Sequence, residues 1–214
     1  MIKRVFSSTI MKRLLRVRLE RRILLVALIG VAYLTGRLTA SIQTPLLSAI
    51  PTQKPPWAFA AGSIEKFTYL SGQQSSFCGL QPTMVDSYAD EGRLQGSCCS
   101  AMDLHRYQEQ VEFLRRYSSI PQIPEDPYDI PVPLAKKLIA YGTSITLTTE
   151  QQAVYDEAVG ISEEGGPCCC RCWRWFAFEG LGKYLIVEHD FGAEQIAELW
   201  DGLDGCGGTS HLHE

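Results

Sequence analysis

Four of the chain's eight cysteines fall within five positions, in the segment Gly166-Pro167-Cys168-Cys169-Cys170-Arg171-Cys172-Trp173. Thiols this close in sequence rarely bridge one another, because a disulfide needs α-carbons about 5.5 Å apart in a set orientation. They are well suited to share a soft metal ion, which binds the thiolate form. With Pro167 at a first helical position, Cys168 and Cys172 stand one turn apart on one face, and Cys169 and Cys170 lie at the same helix start. Arg171 and Arg174 add positive charge nearby, and both that charge and a helix N-terminus favour thiolate. Crowded sulfur donors select Cu(I) or Zn(II) over Mg or Ca.

A second group lies in Gly96-Ser97-Cys98-Cys99-Ser100-Ala101-Met102-Asp103-Leu104-His105. On a helix, Cys98, Met102 and His105 recur at i, i+4 and i+7, so thiolate, thioether and imidazole share one face with Cys99 on its shoulder. The thioether favours Cu(I), since zinc is held by thiolate, imidazole and carboxylate. The candidate metal ligands are therefore Cys98, Cys99, Met102, His105, Cys168, Cys169, Cys170 and Cys172, with Cu(I) the expected ion and Zn(II) the second choice. Cys78 and Cys206, both beside glycines, can approach either group or pair with each other as a single staple. No residue is assigned a catalytic role. Two alternatives use the same thiols, as a thiol-disulfide redox protein or as a disulfide-stapled interaction module.

The run Pro167-Cys168-Cys169-Cys170-Arg171-Cys172 fits the frame Pro-Cys-x-Cys-x-Cys. In this it resembles the bacterial envelope proteins named for a PCYCGC motif. The resemblance implies an exported protein that handles metal, with Cys168, Cys170 and Cys172 as the motif thiols. Cys169 stands where that family has tyrosine, and Arg171 where it has glycine.

The segments around these sites divide by charge. Residues 1–40 carry nine Lys/Arg against the single Glu20, although the whole chain has a net charge of −4. A basic segment, 1–22, precedes the apolar run that starts at Ile23. Extended to Ile42, with Arg37 snorkelling, the run approaches the roughly 20 residues a spanning helix needs. Residues 23–42 are thus expected as a transmembrane or signal-anchor helix in the lipid bilayer. The positive-inside bias puts the N-terminus in the cytoplasm and the rest outside the cell membrane. Cleavage of a signal near Ala40 would instead give a secreted protein. Residues 43–66, rich in proline, read as a tether.

The remainder reads as an all-α, cysteine-rich domain, 67–206, of five or six short helices, followed by a flexible tail, 207–214. Helices are expected over 101–117, 133–141, from Thr148 or Thr149 to about 164, within the aromatic stretch 169–189, and over 193–201. The proline-rich connector between the first two reads as extended, and no alternating run of strand length appears. The sequence lacks a glycine-rich phosphate loop, a His-Glu-x-x-His pair and a basic aromatic surface for nucleic acid. The expected partners are the bilayer and a protein that donates or accepts metal.

Overall fold

The computed structural model describes residues 26–27 and 55–208. Apart from Val26 and Ala27, the expected basic segment and membrane helix lie outside the described residues. No helix among the described residues is long and apolar enough to cross a membrane.

Seven α-helices and one two-stranded sheet lie within 55–208. Helix α1 spans Ile64–Leu70, α2 Pro82–Asp86 and α3 Leu104–Leu114, the last continued by a 3-10 turn over Arg115–Tyr117. Strands β1, Arg93–Gln95, and β2, Asp129–Pro131, pair antiparallel with Leu94 opposite Ile130. Then follow α4 Val132–Ser144, α5 Thr149–Ile161, α6 Trp173–His189 and α7 Ala193–Gly202.

Local chemistry sets these boundaries. The Thr148 hydroxyl accepts from Gln151 N while the Gln151 side chain accepts from Thr148 N, a reciprocal cap that starts α5. Asp103 caps α3 by accepting from Arg106 N at 2.9 Å. Helix α6 stops at Asp190, which adopts a left-handed φ of 54°.

The main core lies where α4 packs on α6 and α5 packs on α7. Leu138, Leu181, Leu185, Ile196, Leu199 and Trp200 are all buried there, and Trp200 Nε1 donates to Phe178 O at 3.0 Å. Helices α4 and α6 approach closely at Gly180, where an added Cβ would sit 1.9 Å from Leu138 O and 2.7 Å from Gly142 N. A smaller cluster of Leu70, Tyr107, Val111 and Tyr128 joins α1, α3 and the segment before β2. The Asp129 carboxylate fastens the two-stranded sheet to α1, because it accepts from Lys66, Arg93 and Gln95.

The architecture is mostly helical, as expected, but not all-α. The two strands have three residues each, too few to show alternation, and the partner of β1 comes from the proline-rich connector that reads as merely extended. The helical unit also starts before Phe67. Ser63 Oγ accepts from Lys66 N at 3.1 Å and begins α1 inside the stretch expected as tether.

The glycine contact gives a stability test by chemical denaturation. Gly180→Ala forces α4 and α6 apart and is expected to destabilise by about 2 kcal/mol or more. Gly160→Ala, where nothing lies within 4 Å of the new methyl group, is expected to be neutral or to stabilise by up to about 1 kcal/mol.

Candidate metal centre

Four loops deliver the sulfurs, and each is fixed by hydrogen bonds to its neighbours. In the first, Ser76 N donates to Gln95 O and Leu80 N to Phe77 O, which places Cys78 between them. In the second, Cys98 N donates to Gly205 O and Ser100 N to Cys206 O. These two bonds clasp the Cys98-Cys99 loop to the Cys206 loop, and Gly208 N extends the clasp by donating to Ala101 O. The fourth loop is also held from α3, whose Gln110 donates to Asp204 O and whose Arg106 pairs with the Asp204 carboxylate. That carboxylate in turn accepts from Cys206 N at 3.0 Å. The third loop carries Cys168 to Cys172 and is pinned to the first by Trp173 N donating to Leu80 O at 2.7 Å.

All eight cysteines are free thiols. Three trios among them have sulfurs within 4.8 Å of one another: Cys78, Cys99 and Cys170; Cys99, Cys169 and Cys206; and Cys168, Cys169 and Cys170. The trios therefore draw on every loop. Cys169 Sγ lies 3.0 Å from Cys206 Sγ and 4.0 Å from Cys99 Sγ. The two remaining thiols lie on the same loops: Cys78 Sγ donates to Cys98 O at 3.5 Å, and Cys172 N donates to Cys170 O at 2.9 Å. Such a cluster can hold a metal ion.

The electrostatics fit thiolate. A hydrogen bond from Cys172, joined by one from Cys206, pulls the Cys168 thiol down to about 4 against the opposing effect of burial. Cys206 moves up because it donates to Cys168 and Cys98. Burial raises Cys99 and Cys170, and neighbouring sulfurs add to the effect. The group thus favours one thiolate stabilised by thiol donors, with further anions costly until a cation enters.

One cation is built in. Arg174 is fully buried at the start of α6, and its Nη1 and Nη2 have no hydrogen-bond partner. Burial disfavours its charge, but attraction to the neighbouring sulfurs, Cys168 among them, outweighs that and raises its pKa. Its Nε donates to Ser76 Oγ at 3.4 Å, and Ser76 also accepts from Trp173 Nε1 and sits 3.7 Å from Cys98 Sγ. The guanidinium lies flat against Gly205, where a Cβ would come within 2.2 Å of Arg174 Cζ. Any side chain there would displace the charge from the sulfurs. Arg171, expected to act alongside Arg174, instead stacks on the Trp175 ring at 4.5 Å.

The helical arrangements expected for both cysteine groups do not form. Cys172 is the N-cap of α6, so Cys168, Cys169 and Cys170 precede that helix and Pro167 is not in its first turn. The loop shape lets three consecutive sulfurs converge, which the spread of side chains around a helix would prevent. Asp103 likewise starts α3 after Cys98, Cys99 and Met102, so the Cys-Met-His stripe does not exist as one helical face. Met102 packs on the small core cluster, with Ser71 Oγ 4.0 Å from its sulfur. His105 is exposed, its Nε2 3.0 Å from Glu109 Oε1, and it belongs to none of the trios. Cys78 and Cys206, left open by the sequence, are both in the cluster and not joined to each other. Ser76 and Asp204 carry no sequence signal for their roles, although glycines around Cys206 mark a tight approach.

Comparison with protein-family models, with curated proteins and with solved structures gave no match.

The proximity of Cys169 and Cys206 sets the order of oxidation. Substoichiometric diamide is expected to link these two before any other pair, as read by peptide mapping of the full chain. A first bond between other cysteines would contradict the geometry.

Proposed function

We propose that the protein binds a soft metal ion, Cu(I), at this thiol cluster, and sequesters it or passes it to another protein. The carrying observation is the meeting of six thiols from four loops, in three overlapping trios, beside a buried arginine that makes no ion pair with a carboxylate among the described residues. Copper is favoured over zinc by the donors. Each group within range is a trio of sulfurs, which suits a monovalent soft ion, whereas structural zinc takes four ligands in a tetrahedron. Transfer would proceed by ligand exchange, with exposed Cys99 and Cys169 as the entry thiols.

The same reading extends to location. The basic N-terminus and the apolar run to Ile42 support a membrane-anchored protein whose cysteine domain is extracytoplasmic. The Pro-Cys-x-Cys-x-Cys frame at 167–172, similar to that of the PCYCGC envelope proteins, agrees with export and metal handling. In an oxidising compartment a bound ion would also keep the thiols from forming disulfides.

A second reading, as a thiol-disulfide redox protein, draws on the 3.0 Å approach of Cys169 to Cys206 and the lowered pKa of Cys168. An insulin-reduction assay separates the two, because a metal buffer is inert in it.

The metal-binding reading is tested by anaerobic competition of the reduced full chain, in detergent micelles, against a chromogenic Cu(I) chelator. Retention of Cu(I) at sub-micromolar free concentration is expected, and its absence rejects the reading. Arg174→Met, which removes the buried counter-charge, is expected to weaken binding about tenfold or more while helix content by circular dichroism holds.

A further inference from the structure

The three trios are not independent. Cys99 belongs to the first and second, Cys169 to the second and third, and Cys170 to the third and first. Each trio adds one sulfur of its own: Cys78, Cys206 and Cys168 respectively. The sharing closes into a ring in which shared sulfurs alternate with places where an ion can sit.

From this pattern we infer that the site holds a trinuclear Cu(I)-thiolate cluster, with Cys99, Cys169 and Cys170 as bridging ligands and Cys78, Cys168 and Cys206 as terminal ones. The inference rests on the Cu(I)-binding reading above and specifies the stoichiometry and topology of that site.

Ligand counting favours this cluster over its alternatives. Three trigonal ions joined by three bridges need six sulfurs, which is the number in the ring. Three tetrahedral ions joined by three bridges need nine, one more than the chain has. A metal–sulfur bond of about 2.3 Å in a trigonal plane separates the sulfurs by about 4 Å, within reach of the present spacing. Cys98 and Cys172 then lie outside the ring, since neither belongs to any trio. Three monovalent ions among six thiolates leave an excess of negative charge. Arg174 is the buried cation beside it. On metallation each ligand still protonated loses its proton to solvent, and no change of oxidation state is involved.

The sharing predicts a pattern that isolated sites would not give. Reduced full-length protein in detergent micelles is loaded anaerobically with rising amounts of Cu(I) from a chelator and read by native mass spectrometry. The expected result is a dominant three-ion species that appears at substoichiometric loading, with one- and two-ion species sparse, because each ion fixes ligands for the next. Replacing a terminal ligand, in Cys78→Ser, Cys168→Ser or Cys206→Ser, removes one trio and is expected to leave two ions. Replacing a bridging ligand, in Cys99→Ser, Cys169→Ser or Cys170→Ser, removes two trios and is expected to leave one. Circular dichroism checks that each variant folds. Independent stepwise filling, a limit of one ion in the parent protein, or equal losses from both classes of variant overturns the cluster but leaves Cu(I) binding standing. Retention of no Cu(I), or of Zn(II) alone, overturns both.

Discussion

Arg174 imposes a condition that the rest of the site has to meet. A guanidinium keeps its charge at any accessible pH, and a buried charge without compensation costs several kcal/mol. Two of its nitrogens lack hydrogen-bond partners, and the negative charge that favours its ionised form comes first from cysteines. The fold is therefore most stable when at least part of the sulfur group is anionic. Many buried arginines solve this problem with a carboxylate. Here polarisable thiolates take that place, and the same negative charge is what attracts a soft cation.

The helices serve this arrangement as brackets. Trp173 and Arg174 open α6, and the packing of α6 against α4 fixes where that opening stands. Helix α3 reaches the site from another direction, through Arg106 and Gln110 on the Asp204 loop. Ser76 joins the two sides, since one hydroxyl meets the Trp173 indole, the Arg174 guanidinium and the vicinity of Cys98. Sulfurs thus sit on loops, where consecutive residues can converge on one place, while the loops hang from rigid elements. Cys168, Cys169 and Cys170 illustrate the need for this, because a helix would send three successive side chains to different faces.

What could be read in the sequence follows from this division. The helices with local signals were legible: the start of α5 at Thr148 or Thr149, and α7 over 193–201. The positive charge of Arg174 beside the thiols was legible too, though its burial and its seat on Gly205 were not. The sheet escaped because β1 and β2 are three residues each, far apart in sequence, and depend on Asp129 binding α1, a long-range contact. The Cys98, Met102 and His105 stripe failed for a local reason, the capping of α3 by Asp103. That such a residue starts a helix is a readable rule, and here it outweighs periodicity. The convergence of Cys78 and Cys206 on the other thiols depends on tertiary packing, and spacing alone left it open.

The clasp between residues 98–101 and 205–208 bears on how the site comes into being. Cys78, the Cys98-Cys99 pair, the 168–172 run and Cys206 are separated by stretches of chain, so bringing them together costs loop-closure entropy that grows with the length of each stretch. A zinc finger can use its ion as a nucleus because its ligands are near neighbours in sequence. In this fold the ligands come from four separate loops held by packed helices, and a peptide cut from 166–175 would carry one trio without the ring.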